Sequence, residues 1–329
     1  VIQPVRPLML GVVGDSAAGK TTLTRGIARI IGPEESTTVC LDDYHRYDRQ
    51  ERRQQGISAL HPDANYVDIM EQQVNLLRLG QPILKPVYDH SQGALGRPEY
   101  VQPHRLVVVE GLLSLLTPAL QKCYDITVYL EPDERLRRRW KIQRDTATRG
   151  YTEQEVVDAL ARRMPDSERY IWPQRKAADI IVRFWPPYGY FERSVDNAQL
   201  NVRIFQRHNL PRPDLRPVLE QAGNGHRPAL RLKKDVWLDG QPVDILDIDG
   251  DIAPEKAAEL ETILWEQMPF ARHLQPQELG GFREGSRARH SLPLALTQLL
   301  IAYHLLTVRR QEDARWTPLH RPPSAAFDP

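Results

Sequence analysis

Gly14-Asp15-Ser16-Ala17-Ala18-Gly19-Lys20-Thr21 is the stretch that decides the fold of this 329-residue chain. It satisfies G-x-x-x-x-G-K-[ST], and Thr22 follows it with a second hydroxyl. By average composition such an octet arises by chance in ~1 of 100 chains of this length, so its surroundings must carry the argument. They do: residues 8–13 (LMLGVV) read as a short apolar strand and residues 20–31 as a helix, giving strand, turn, helix. The chemistry needs that order. Glycines let the backbone wrap so that several N–H groups face phosphate oxygens at the positive end of a helix. The lysine reaches the β- and γ-phosphates, and the threonine hydroxyl can ligate Mg²⁺. Gly14, Asp15, Ser16, Ala17, Ala18, Gly19, Lys20, Thr21 and Thr22 are therefore the expected ATP-binding segment, with Thr21 on Mg²⁺.

Downstream, short apolar runs alternate with helical ones. Strands are expected at residues 38–41 (TVCL), 105–109 (RLVVV), 125–130 (DITVYL) and 179–184 (DIIVRF), and helices at 68–78, 135–148 and 152–164. Thr152 and Glu155 have capping-box spacing at the start of the last of these. Buried strands separated by helices indicate an α/β domain over residues 8–190, a P-loop NTPase-type mainly parallel sheet flanked by helices. The pattern then changes. Residues 199–206, 229–232 and 243–248 read as antiparallel strands and 254–268 and 291–308 as helices, a C-terminal α+β extension over 191–310. The tail, 311–329, is expected to be disordered.

Composition narrows the partners. Lys+Arg 44 against Asp+Glu 43 gives a formal charge of +1, too little to hold the chain on nucleic acid or an anionic membrane, so any phosphate affinity must be local. Two cysteines, Cys40 and Cys123, make no disulfide framework and no zinc spacing, as expected of a reducing, cytoplasmic compartment. No apolar run reaches the ~18 uninterrupted residues of a spanning helix, so no membrane partner is expected.

A phosphate loop does not separate a GTPase or motor from a small-molecule kinase; the carboxylates and cations near it do. Asp42 ends the second expected strand and Glu110 the third, and in a doubly wound sheet such ends converge on the ligand crevice. Asp42 is thus a candidate general base for an acceptor hydroxyl, or else a turn cap, and Glu110 a candidate Mg²⁺-linked acid, or else a turn carboxylate. No guanine-specific N/TKxD motif is present. Arg135, Arg137, Arg138, Arg139, Lys141, Arg144 and Arg149 are seven cations in fifteen residues. Arg137, Lys141, Arg144 and Asp145 share one helical face, which delivers cations to phosphate oxygens in a lid spanning residues 133–149 unless the whole helix is simply solvated. A second cluster, His45, Arg46, Arg49, Arg52 and Arg53, follows Asp42 and suggests an acceptor that is itself anionic.

Four further stretches, in order after the phosphate loop, resemble the phosphoribulokinases within the phosphoribulokinase/uridine kinase group. They are LDDYHRYDR (41–49), KPVYDHSQG (85–93), VVVEGLL (107–113) and KIQRDTATRGYT (141–152). The resemblance spans nearly all of residues 8–182 and continues more weakly around 246–250 and 291–306. It implies ATP-dependent phosphorylation of the 1-hydroxyl of ribulose 5-phosphate, with Asp42 as base and Glu110 as the metal-linked acid. Lys20, Lys141, Arg144 and Asp145 would serve the transition-state charge, and His45, Arg49, Arg52, Tyr88, His90, Arg144 and Arg149 the sugar-phosphate side. It also implies a homodimer built on the C-terminal strands. One departure matters: the thioredoxin-controlled disulfide of plant and algal members needs a cysteine where this chain has Ala18, so Cys40 has no such partner and is expected to be a small buried hydrophobe.

The rival readings are a uridine or other nucleoside kinase, or another sugar kinase of the same family, with the same loop and base, and a catalytically silent nucleotide-binding scaffold. Replacing Lys20 by Ala is expected to lower affinity for ATP about tenfold or more in an equilibrium titration, since it removes a charge-assisted hydrogen bond.

Overall fold

All seven residues of the first strand, Leu8–Gly14, are buried. Leu8, Leu10 and Val12 join one apolar cluster, while Met9 and Val13 join another. Because side chains alternate along a strand, this strand must lie inside a sheet covered on both faces. The computed structural model describes residues 6–187, 199–223, 228–274, 279–284 and 287–315.

In chain order the elements begin with β1 (Leu8–Gly14), α1 (Lys20–Ile31), β2 (Ser36–Cys40), α2 (Arg49–Gln55) and α3 (Val67–Arg78). Four short strands follow, β3 (Ile83–Lys85), β4 (Tyr88–Asp89), β5 (Ala94–Leu95) and β6 (Glu99–Val101). Next come β7 (Leu106–Gly111), α4 (Pro118–Gln121), β8 (Ile126–Leu130), α5 (Glu134–Thr148), α6 (Glu153–Asp166) and β9 (Ile180–Trp185). The C-terminal part holds β10 (Asn201–Arg207), α7 (Arg216–Gln221), β11 (Leu230–Leu238), β12 (Gln241–Ile248), α8 (Pro254–Glu266), β13 (Gly281–Glu284), β14 (Arg287–His290) and α9 (Leu292–Arg315).

Eight strands form one sheet in the order β11-β12-β10-β9-β8-β1-β7-β2. The five from β2 to β9 are parallel, and β10, β12 and β11 are added antiparallel. The expected mainly parallel α/β sheet is present, and the strands of the C-terminal extension continue it without a break. The sheet's order reverses at β1, which pairs with β7 on one side and β8 on the other. That is where an open α/β sheet leaves a crevice at its carboxyl edge.

Several elements differ from the sequence expectation. Residues 45–56, for which no helix was expected, contain α2, opened by a capping box in which the Asp48 carboxylate accepts from Glu51 N and Glu51 accepts from Asp48 N. Only Arg52 of that helix is buried, so no apolar stripe announces it. α7, Arg216–Gln221, lies between the expected strands at 199–206 and 229–232, where no helix was expected. The last helix runs to Arg315, five residues into the expected tail, and residues 316–329 lie outside the described ones. Within α9, Leu292–Arg310 is long and apolar enough to cross a membrane, contrary to the reading of the apolar runs, but 78% of that window is buried inside the fold. It is apolar nearly all round because it is enclosed, packing on α1, α8, β1 and β10.

Gln298 of α9 is fully buried and ties the phosphate-loop helix to the C-terminal part. Its amide donates to Thr22 O at 3.1 Å and its carbonyl accepts from Gly280 N at 2.8 Å. Gly26 of α1 makes room for it: a Cβ there would lie 2.0–2.3 Å from the Gln298 amide atoms. Gly26→Ala is expected to cost about 1–3 kcal/mol in denaturant unfolding. The cost should shrink in a Gln298→Ala background, since the two residues share one contact.

Candidate active site

The loop between β1 and α1 is shaped by two residues in left-handed conformation, Ala17 (φ 67°) and Gly19 (φ 95°). Gly19 is needed for its backbone and not for space, because nothing lies within 4 Å of the point a Cβ would occupy there. Ser16, Ala17, Ala18, Gly19, Lys20, Thr21 and Thr22 line a cavity of about 1180 Å³. Gly14 and Asp15, the first residues of the octet, do not line it. The Gly14 carbonyl accepts from Lys20 Nζ at 2.9 Å, and the buried Asp15 carboxylate stands 3.5 Å from Arg137.

Glu110 and Thr21 are brought together as a pair. The Thr21 hydroxyl donates to Glu110 Oε1 at 2.9 Å, and Thr24, a residue the sequence reading passed over, donates to Oε2 at 3.3 Å. Burial holds the Glu110 carboxyl above its ordinary pKa, against the pull of Lys20 and Thr21 and with Asp42 adding to the rise. A buried, under-compensated carboxylate beside a hydroxyl at a phosphate loop is a donor set that suits a hard divalent cation, so these residues fit Mg²⁺.

Asp42 sits one strand away. The β2/β7 register pairs Cys40 with Glu110, so the strand ends that carry Asp42 and Glu110 lie side by side. Asp42 Oδ1 accepts from Leu112 N at 2.7 Å, the capping contact, while Oδ2 accepts no hydrogen bond among the described residues. Gly111 allows this approach, since a Cβ there would stand 3.2 Å from Asp42 Oδ1 and 3.0 Å from the Leu41 Cβ. Cys40 is half-buried, not fully buried as expected, and lines the cavity. Burial and the neighbouring Asp42, Asp43 and Glu110 push its thiol well up, which keeps it protonated.

The basic helix α5 is not a solvated rod. Its expected face lies against the loop. Arg137 donates to Ser16 O at 3.0 Å, and Lys141 Nζ and Arg144 reach Ser16 Oγ at 3.3 Å. Asp145 holds the cations in place, 2.8 Å from Lys141, 2.8 Å from Arg144 and 3.5 Å from Arg149. Burial alone would raise the Asp145 pKa, but Arg144 and Lys141 bring it down to about 2. Arg135, by contrast, pairs with Asp133 on the outside.

The second cluster is partly corrected. Arg49, Arg52 and Arg53 line the cavity, but Arg46 turns to Asn65 O and lies over the Tyr66 ring. His45 is not a cation: burial, with Arg52 beside it, lowers its pKa to about 4. Its Nδ1 faces Asn65 Oδ1 at 2.7 Å, and the Asn65 amide NH₂ donates to Ala59 O and His61 O. Nδ1 therefore carries the proton and Nε2 remains an acceptor. Tyr88 and His90 stack edge-on with His45, and Arg52 donates to the Tyr88 hydroxyl at 2.6 Å. Arg49 donates to His90 O at 2.7 Å.

The sequence reading missed Arg163, which also lines the cavity and whose pKa is lowered by burial and by Arg52. The signal was present: Val156, Leu160 and Arg163 follow i, i+4, i+7 on α6, so an arginine stands on that helix's buried stripe. Lys141 carries a pH prediction. Burial lowers its pKa to about 8, with Arg163 and Arg144 adding to the fall and Asp145 opposing it. Its charge is lost as pH rises through about 8, so affinity for inorganic tripolyphosphate should fall about tenfold between pH 7 and pH 9. Lys141→Arg should flatten that dependence in calorimetric titrations.

Residues 9–188 match the model of the Phosphoribulokinase / Uridine kinase family. A phosphoribulokinase of Synechocystis sp. is 40% identical over 205 residues, covering 62% of this chain and 61% of the relative. A uridine kinase of Latilactobacillus sakei is 30% identical over 183 residues, 55% of this chain and 87% of that one. The chain thus spans less than two thirds of the Synechocystis protein's length. Among solved structures, a phosphoribulokinase from Rhodobacter spheroides superposes with a TM-score of 0.57 at 19% identity, covering 82% of this chain and 98% of that one, a likeness of fold. With a phosphate loop, the Thr21–Glu110 pair and the α5 cations all inside the matched segment, the chain belongs to the phosphoribulokinase/uridine kinase family.

Proposed function

We propose that this chain transfers the γ-phosphoryl group of ATP to the 1-hydroxyl of D-ribulose 5-phosphate, giving ribulose 1,5-bisphosphate for carbon fixation. The observation that carries the reading is that one cavity joins the phosphate loop to a chamber lined by Arg49, Arg52, Arg53 and Arg149, with Asp42 also on its wall. A neutral nucleoside has no use for that many cations, whereas a sugar phosphate does. The name of the Synechocystis relative supports the same substrate.

In this reading Asp42, held through Oδ1 by Leu112 N, takes the proton of the acceptor hydroxyl on Oδ2. The hydroxyl oxygen bonds to the γ-phosphorus as the bond to the β–γ bridging oxygen breaks and ADP leaves. Lys20, Lys141 and Arg144 offset the charge on the transferring group. Thr21 and Glu110 are the residues that would hold Mg²⁺, which when bound neutralises the β- and γ-phosphate oxygens. Arg49, Arg52 and Arg149 take the acceptor's phosphate. His45, neutral and presenting Nε2, takes a sugar hydroxyl, with Tyr88 and His90 fixing its ring. The expected compartment is the cytoplasm. The expected assembly is a homodimer, for which β11, an edge strand with an exposed Trp237, offers unpaired backbone groups.

The test is ADP release with Mg-ATP and, in parallel, ribulose 5-phosphate, ribose 5-phosphate or uridine. Turnover is expected with ribulose 5-phosphate, and Asp42→Asn should lower it ~10²-fold, the least expected of a lost general base. Turnover on uridine alone would sink the substrate assignment, and ATP binding without turnover on any of the three would favour a silent scaffold.

A further inference from the structure

Where β7 ends, the sheet's own hydrogen bonds stop holding the chain. The β1/β7 register finishes at the Val13–Gly111 pair and the β2/β7 register at Cys40–Glu110. Leu112, the next residue, is outside both ladders. Its N–H is nonetheless the single hydrogen-bond donor to the Asp42 carboxylate among the described residues, 2.7 Å from Oδ1. Whatever fixes Leu112 therefore fixes the carboxylate.

That task falls to Gln174, a side chain only 4% exposed that the sequence reading passed over. Its Oε1 accepts from Leu115 N at 2.8 Å, and its Nε2 donates to Leu112 O and to Tyr170 O, each at 2.8 Å. The amide has one carbonyl and two N–H groups to offer, and all are used. Two of the three bonds close on the turn 112–115 and grip it at both ends. The third ties the amide to its own segment, a π-helical turn at Ser167–Ile171 that runs into a 3₁₀ turn at Trp172–Ala177. Apolar packing backs the clamp: Leu112 and Leu113 are buried with Leu60 and Ile171 in a small cluster of their own. Asp42 and Leu112 line the cavity, while Gln174 does not. Gln174 thus reaches the site only through the Leu112 backbone.

We propose that Gln174 is a positioning residue for the phosphoryl transfer: by gripping the turn 112–115 it fixes the Leu112 N–H, which holds Asp42 Oδ1 and leaves Oδ2 for the acceptor hydroxyl. The inference rests on the proposed role of Asp42 as base and adds the device that aims it. Aim matters, because a displacement of ~1 Å can cost about 10²-fold in rate. A buried glutamine that only satisfied backbone groups would support the fold alike whether or not a base stood at position 42. One that aims the base matters to turnover only while the base is there.

A double-mutant cycle on the full chain separates the two, with kcat and KM read from ADP release with Mg-ATP and ribulose 5-phosphate. Gln174→Met keeps the length of the side chain but can neither accept from Leu115 N nor donate to Leu112 O. It is expected to lower kcat about tenfold or more, with KM for both substrates within about twofold of wild type. In an Asp42→Asn background the same substitution should change kcat by less than about twofold. Equal losses in the two backgrounds, no loss with Asp42 present, or a loss confined to KM would overturn the inference while leaving Asp42 as base. Failure of both Gln174→Met and Gln174→Ala to fold, read by circular dichroism, would overturn it as well, because the amide would then serve the fold at large. A wild type without turnover, or an Asp42→Asn variant as active as wild type, would overturn the base reading and the inference together.

Discussion

Parallel pairing of β2, β7 and β1 in one register is the constraint on which the rest depends. Val12 faces Glu110 across one ladder and Cys40 faces Glu110 across the other, so three strand ends stop at one level of the sheet. Each end then delivers a different group: the phosphate loop, the metal-fitting Glu110 and the carboxylate of Asp42. The apolar residues of these strands do this indirectly. By burying both faces they leave no freedom to slip, because a shift of one residue would exchange the two clusters' side chains between faces.

Bringing so many cations to one place has a cost that the fold offsets locally. Lys141 and Asp145 are both nearly inaccessible to solvent, and Arg144 and Arg149 converge on the same carboxylate. Breaking a buried pair of this kind typically costs about 3–5 kcal/mol, since it leaves a charge without a partner. Asp145 is thus the anchor that lets these cations stand close together beside the loop. His45 is kept neutral mainly by burial, with Arg52 adding to the effect and Asp42 only partly opposing it.

The C-terminal part is continuous with the family-matched segment and not an appendage. Its strands complete the sheet, α9 packs on both α1 and α8, and one glutamine amide binds both the loop helix and Gly280, the residue just before β13. As a helix, Leu292–Arg310 is long and apolar enough to cross a membrane although no uninterrupted apolar run in the sequence is; in the fold 78% of that window is buried. Hydropathy records that a segment avoids water, but not what replaces the water.

The residues alone determined the phosphate loop, the alternation of strands and helices, and the carboxylates at the strand ends, because these are local patterns governed by period, capping and turn chemistry. They also carried the one-face grouping of Arg137, Lys141, Arg144 and Asp145, which follows from helical spacing. Only the tertiary structure decided that Arg46 points away while Arg163 points in, that His45 is uncharged, and that Gln298 bonds Thr22, 276 positions earlier in the chain. Charge state depends on burial and on neighbours brought from other elements, and so does the content of a cavity wall. Neither is encoded in any one stretch of sequence.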